Sequence, residues 1–424
     1  MSLNLWPIVF ALFSAFCFII AVPQIFFIQD DWYHIYQTHR KSLPEVLSYF
    51  NIWQEGALDP LNFYRPLSTK LYFFLAYQVF DLKPYLYLAV NSLLFLLNVI
   101  FLSKLLLKIT KPKIALWTTF IYSFSLAHFT FFSYITKVED LMLGALTFAS
   151  LYFLVNKQNV LGTLIFILAL MTRESALIIP LWLAGYHLSL KKKPRKYFLP
   201  IIGILSISVI YILARTLIYG WPKDQEVYLI QFGPHIVPNI FKYLQWNLNI
   251  TGLLIQNSMI GWLYRATATF SLIILFSVFL KAVKSRRFYK NIFFGIFWWL
   301  LCLSPILLFA NHRDPWNLIV AAGGLSFALS QVVVNLNKTI RFLFVSSYLI
   351  LFLLGLNFYR LNHWTVQRGL ITKQTKENIL SQCQKDMIKI DFNQYDEQEL
   401  EYSWYYDLGP KILCKKANLK VVYE

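Results

Sequence analysis

The 424 residues are 58% hydrophobic and 18% aromatic with 14% charged, and their mean hydropathy is +0.52. So much apolar surface cannot be buried in a water-soluble globule of this length, which leaves a polytopic membrane protein. The formal charge of +18 has the sign of a nucleic-acid binder, yet its distribution assigns it to membrane topology, and no nucleic-acid partner is expected.

Apolar runs near the ~20 residues that cross a bilayer recur at 5–27, 85–107, 114–132, 141–155, 160–171, 176–190, 198–219, 266–280, 292–310, 316–334 and 342–356. The expected fold class is therefore an all-α polytopic membrane protein with about eleven transmembrane helices. The first run has no small-residue cleavage site and is followed by further spans, so it reads as a retained signal anchor. Seventeen Lys and Arg sit in five acid-free loops: 104–113, Lys157, 191–196, 281–290, and Lys338 with Arg341. These alternate with loops where acids and bases balance, such as 30–83 with six acids and five bases. The positive-inside rule places the basic loops in the cytoplasm of a multi-pass plasma (inner) membrane protein, with the N-terminus cytoplasmic and the C-terminus extracytoplasmic.

Three external regions interrupt this alternation. Residues 29–84 form a loop far longer than a connecting turn, and long ordered loops are usually functional. Within it Leu67, Leu71, Phe74, Leu75 and Gln78 follow helical spacing with Lys70 on another side, which predicts a surface helix entered at Pro66. Residues 221–265 carry Pro222, Pro234 and Pro238, and then a mixed stretch, 241–263, that reads as an interfacial helix. The region 358–424, a small extracytoplasmic tail, follows a membrane domain over 1–357. From Arg368 onward it has nine bases and nine acids. Cys383 and Cys414 both fall in this tail, where a disulfide would persist, whereas Cys17 and Cys302 fall in spans. No repeat, low-complexity tract, glycine-rich phosphate loop or metal-type His/Cys cluster occurs.

The candidate chemistry lies at the external ends of the spans. Asp30 and Asp31 stand where the chain leaves the first span; if both served one site, repulsion would favour one as a proton acceptor, and the alternative is helix capping with solvation. Arg65 precedes Pro66 at the start of the surface helix, where guanidinium and free amides suit a phosphate; a lipid-headgroup contact is the alternative. Thr136 and Glu139 fit a capping box, which explains Glu139 and leaves Asp140 unexplained. At the next external turn Thr172 can cap and Glu174 can favour the helix dipole, with Arg173 beside them. Asn311, His312, Arg313 and Asp314 form a polar cluster that either turns the chain or holds a phosphate. Acids and arginines converging on one face suggest a reaction on a lipid-linked substrate whose phosphate is held by arginine.

The order of these residues resembles the GT-C glycosyltransferases that use polyprenyl-phosphate sugars, especially the protein O-mannosyltransferases and their relatives with transmembrane helices and TPR repeats. The likeness lies in Asp30-Asp31 after the first span, in FYRPLSTKLYFFLAYQVFDLKPYLYLAVNSLLFLLN with its Asn91 and Asn98, in YITKVEDLML, and in MTRESALIIPL. It covers roughly the first 190 residues, the later half agreeing in layout alone. The resemblance implies a membrane hexosyltransferase with a GT-C-like fold, acting by inverting transfer from a polyprenyl-phosphate-linked sugar to an acceptor hydroxyl on the extracytoplasmic side, the acceptor being protein, lipid or glycan. It further implies Asp30 as general base, Asp31 as its orienting neighbour and Asp140 as the second-loop acid. Arg65, Arg173 with Glu174, and His312 with Arg313 become contacts to the donor phosphate or carrier. A monophosphate leaving group needs little metal help, so no metal or other cofactor is expected. The sequence departs from the pattern at Thr130, where relatives often carry Glu, and at Lys137, where they have a small residue; no TPR array follows the last span. Two rival readings stay open: a secondary transporter or lipid flippase, whose ionisable groups would sit near the midplane of interrupted spans, and a scaffold that presents the tail.

Overall fold

A computed structural model describes residues 5–22, 25–54, 56–57, 63–190, 198–219, 230–250, 259–282, 286–390 and 395–423. Pro23, Trp221, Pro222 and the basic run 191–196 lie outside the described residues. Helix α1 (Trp6–Ala21) leads to α2 (Asp30–Thr38) and α3 (Leu43–Ser48), and a π-helical turn, Pro66–Leu71, runs into α4 (Tyr72–Phe80). The bundle continues through α5 (Pro84–Ile109), α6 (Pro112–Ser123), α7 (Thr130–Ser133), α8 (Val138–Val155), α9 (Asn159–Leu170), α10 (Ile179–Leu190) and α11 (Phe198–Tyr219). After α12 (Ile236–Asn247) come α13 (Met259–Ala282), α14 (Arg286–Leu307), α15 (Ala321–Asn335) and α16 (Lys338–Asn362). The tail is α17 (Trp364–Gln382), β1 (Met387–Ile390), α18 (Glu397–Trp404), α19 (Leu408–Leu413) and β2 (Lys420–Tyr423).

Each apolar run singled out in the sequence carries one of these helices. Among the described residues five stretches are long and apolar enough to cross a membrane: Pro84–Ile109, Ile135–Val155, Pro200–Ile218, Phe288–Leu307 and Lys338–Asn362. Trp6–Ala21, Asn159–Leu170 and Ala321–Asn335 are apolar but shorter. The run 114–132 is not one straight span: α6 and the segment after it meet at a 50° bend. Asn249 makes the break tolerable, because its Oδ1 accepts from Leu126 N–H (2.7 Å) and its Nδ2 donates to the Phe124 carbonyl (2.8 Å), pairing backbone groups that lipid would leave stranded.

Small residues and amides set the packing, as expected where lipid supplies no hydrophobic drive between helices. A Cβ on either Gly295 or Gly324 would lie 2.8 Å from the other's carbonyl oxygen, so α14 and α15 touch backbone to backbone. Asn98 Nδ2 donates to the Leu141 carbonyl (2.8 Å) and Asn91 Nδ2 to the Phe131 carbonyl (2.9 Å), fastening α5 to α7 and α8 on either side of the turn 134–137.

Two expected helices differ from their sequence reading. Lys70, assigned to the polar side of a surface helix, is buried, its ammonium donating to Gln37 Oε1 and lying over the Tyr49 ring, while Leu75 and Val79 are exposed. The amide oxygen of Gln37 and the Tyr49 ring face stand in for hydration of that one charge. The stretch 241–263 is likewise not one interfacial helix: α12 ends at Asn247, 251–258 lie outside the described residues, and α13 begins at Met259.

The tail packs on the first loop. Strands β1 and β2 pair in parallel, and Cys383–Cys414 is a disulfide joining the ends of α17 and α19. Ile371, Ile379, Ile388 and Leu400 share one buried cluster with Phe26, Trp32, Ile35 and Phe73. At its centre Trp404 stacks on Trp32 (5.2 Å between centroids) and donates from Nε1 to Thr375 Oγ1 (2.9 Å). Gly409 permits this, since a Cβ there would come within 2.6 Å of the Trp404 ring. The shared core fixes α2, which carries the first candidate carboxylates.

Candidate active site

Gln29 adopts φ 45° and its N–H donates to the Ser403 carbonyl (3.0 Å), so the chain turns into α2 against the tail. Helical spacing then separates Asp30 from Asp31. Asp31 points inward with Trp32, Ile35 and Thr38 and is fully buried. Its carboxylate accepts from Ile28 N–H (3.0 Å), Thr136 N–H (2.7 Å) and the Thr136 hydroxyl. Burial pushes this carboxyl up to about 7 in spite of those bonds. Asp31 is thus a fastener between the first loop and the turn before α8. Asp30, with Tyr33 and Gln37, lies on the half-exposed face of the same helix. Its N–H donates to the Tyr134 hydroxyl (3.3 Å), and no ion pair holds its carboxylate among the described residues. Burial, followed by Asp30 and Asp31, holds the Tyr134 hydroxyl well above its ordinary range, so it stays protonated and able to donate.

The capping box at Thr136 does not form, because Thr136 is spent on Asp31. Glu139 instead accepts from Arg65 Nη1 (2.9 Å) and lies 3.8 Å from Lys137 Nζ. Arg65 also reaches Glu174 Oε2 from Nε (3.4 Å), while Glu174 Oε1 accepts from Tyr64 N–H (3.3 Å). The Thr172 hydroxyl turns back to the Leu168 carbonyl (2.9 Å) and caps nothing. Arg173 and Glu174 do not pair with each other. Arg173 binds the buried Asp140 and donates to Asn317 Oδ1 (3.2 Å), and Asn317 Nδ2 donates to the Tyr243 hydroxyl (3.4 Å). The π-helical turn, the start of α8, the start of α10 and the turn before α15 are therefore cross-linked by charge at one end of the bundle.

Lys137 sits at the middle of this end. Its ammonium is buried, 4.2 Å from the Trp316 ring centroid and 4.8 Å from that of Tyr134, and its carboxylate neighbour is the distant one at 3.8 Å. His312 Nε2 lies 3.3 Å from Asp314 Oδ2. Burial pushes the imidazole down to about 3, with Lys137, Arg173 and Arg65 adding to the effect, so the ring is neutral. Burial pushes the Asp314 carboxyl up to about 6, opposed by Lys137 and Arg173 and assisted by Asp30, which places Asp314 within the field of all three. Arg313 points outward, donating to the Ala310 carbonyl (3.3 Å), and its charge reaches Lys242 rather than the buried cluster.

The structure thus sets two neighbouring ion-pair groups at this end, Arg65 with Glu139 and Glu174 and Arg173 with Asp140, leaves Asp31 as a structural acceptor and puts Arg313 on the rim. Sequence reasoning missed Lys137, Glu139, Tyr134, Asp314 and Asn317 as members. Three ionisable residues within four positions of an apolar stretch, Lys137, Glu139 and Asp140, were the available signal. Among the described residues no group of three or more His, Cys, Asp or Glu side chains is placed to hold a metal ion.

No protein-family model and no curated protein matches the sequence. Among solved structures the chain is similar to the crystal structure of ArnT from Cupriavidus metallidurans bound to undecaprenyl phosphate, with a TM-score of 0.53 at 10% identity, over 99% of this chain and 90% of that one. The chain therefore shares the polytopic, largely helical fold of that structure.

Proposed function

With a GT-C-type fold as the frame, we propose that this chain is an integral-membrane glycosyltransferase. It moves a sugar from a polyprenyl-phosphate donor to an acceptor hydroxyl at the extracytoplasmic end of the bundle, with inversion and with Asp30 as general base. The observation that carries the reading is the contrast within the site: among the described residues no ion pair holds the half-exposed Asp30, whereas Glu139, Asp140 and Glu174 beside it are all bonded to arginine. Gathering of ionisable groups at one end of the helices suits surface chemistry better than transport through a midplane site. The likeness to an undecaprenyl-phosphate-bound protein supports the donor class.

In the proposed step the Asp30 carboxylate takes the proton of the acceptor hydroxyl while that oxygen forms a bond to the sugar C1. The C1–O bond to the carrier phosphate breaks on the opposite side, and its electron pair leaves on the phosphate. Lys137, whose charge is the least spent in the network, faces the growing phosphate charge. Arg173 is held in place by Asp140 and Asn317 and adds a second cation; Arg65, Glu139 and Glu174 lock the turns that carry them. Arg313 with Lys242 forms an outer contact for the carrier phosphate, and neutral His312 is a hydrogen-bonding partner there. The same reading keeps the acid-free basic loops cytoplasmic in a plasma (inner) membrane, with the N-terminus inside and the C-terminus outside.

The test is transfer from a panel of labelled polyprenyl-phosphate sugars in purified membranes. Donor turnover by the native chain and its loss in Asp30→Asn are expected. Full transfer by that variant would overturn the assignment of the base, and no turnover of any donor would overturn the activity.

A further inference from the structure

The tail does more than cover the first loop: together with α2 it carries a chain of aromatic rings, linked through Arg368, whose two ends lie beside Asp30. Tyr33 lies one helical turn from Asp30 on the same half-exposed face. Its ring is 5.4 Å from Tyr405, which is 5.9 Å from Tyr406, which is 6.0 Å from Tyr402. The Arg368 guanidinium bridges Tyr402 (5.1 Å) and Trp364 (5.0 Å), and also donates to the Gln29 side chain (2.8 Å) beside Asp30. Trp364 packs 5.4 Å from Tyr134, whose hydroxyl meets the Asp30 N–H.

Two further features argue that these rings are there to meet something. Tyr406 is 48% exposed. Tyr405 ends α18 in the left-handed conformation (φ 51°) and Tyr406 follows at φ 56°, its N–H closing on the Glu401 carbonyl (2.7 Å), so the helix cap fixes where these two rings stand. The acids Asp396, Glu397, Glu399, Glu401 and Asp407 line the same segment, with Arg368 paired to Glu399 and Lys411 to Asp407. Such a rim repels phosphates and anionic lipid. What suits flat rings interleaved with carboxylates and phenolic hydroxyls is a neutral, polyhydroxylated molecule, which offers apolar C–H faces to the rings and hydroxyls to the carboxylates.

We propose that Tyr33, Trp364, Tyr402, Tyr405 and Tyr406 form the acceptor subsite and that the acceptor is a neutral saccharide, an inference that rests on the glycosyltransferase reading for its role. One saccharide hydroxyl then points to Asp30, and the tail, not the membrane domain, selects the acceptor.

The experiment uses the full chain in lipid nanodiscs, titrated calorimetrically with neutral tetrasaccharides (maltotetraose, mannotetraose, chitotetraose) and with a serine- and threonine-containing peptide. At least one tetrasaccharide is expected to bind, and Tyr402→Ala with Tyr406→Gly to weaken it about tenfold. Tyr406→Gly by itself relaxes the left-handed backbone, so its melting temperature is expected to hold or rise while binding falls, an outcome a purely structural ring would not give. Binding of the peptide in place of every saccharide, absence of any binding, or binding that survives both substitutions would overturn the proposal. Donor turnover by the native chain, measured separately, tests the underlying activity, so failure of either reading is seen without the other.

Discussion

The carboxylates around Arg65 and Arg173 and the carboxylate of Asp30 lie at the same end of one bundle and are treated in opposite ways. Glu139, Glu174 and Asp140 are each bonded to a guanidinium and are mostly buried; Asp30 stands half-exposed on α2 with a phenol for a neighbour. Paired charge in a low-dielectric setting fixes geometry, because each partner would be costly to leave alone. A carboxylate at the edge of that setting, outside any such pair, is open to an incoming hydroxyl. On the proposed reading the first region is the frame and the second is the reactive edge.

Several substitutions would break this contrast. Asp30→Asn should lower transfer about a thousandfold with unchanged melting temperature, measured with labelled donor; a stability loss instead would move Asp30 into the frame. Arg173→Ala should cost about 4 kcal/mol by leaving the buried Asp140 unpaired, read by thermal unfolding in detergent. Joint Cys383→Ser and Cys414→Ser should destabilise the tail by about 3 kcal/mol, seen as earlier proteolysis of the tail together with loss of activity, since the tail positions α2. Lys137→Gln should lower the turnover rate roughly a hundredfold at little cost to donor binding, separating a cation for the departing phosphate from one for the resting donor. The smallest effect is a pH slope. Asp31 has its folded carboxyl raised to about 7, so an unfolded chain releases that proton first and stability falls as pH rises through the window up to about 7. The loss is about 2 kcal/mol between about pH 5 and pH 7, and Asp31→Asn should flatten it.

Much of the frame was legible in the sequence. The apolar runs marked the helices because length and composition alone decide what lipid accepts. Asp30-Asp31, Arg65, Asp140, Arg173 and Glu174 stood out as ionisable residues at span ends. Partner choice was not legible. Thr136 and Glu139 have capping-box spacing, yet Asp31, more than 100 residues away, takes both donors of Thr136 and Arg65 takes Glu139. Adjacent Arg173 and Glu174 stood out together at one turn, but each is drawn to a different partner, Arg173 to Asp140 and Glu174 to Arg65. Lys70 looked like a solvent-facing lysine until Gln37 and Tyr49 were seen to enclose it.

By itself the sequence determined that the chain crosses a membrane many times and that its acids and arginines gather at one end, because hydropathy and charge are properties of short segments. Only the tertiary structure decided which of two neighbouring aspartates is buried, and that the tail packs against the helix that carries both. A 100° step along α2 puts Asp31 against Thr136 and Asp30 at the open face, and that outcome depends on what each face of the helix is packed against.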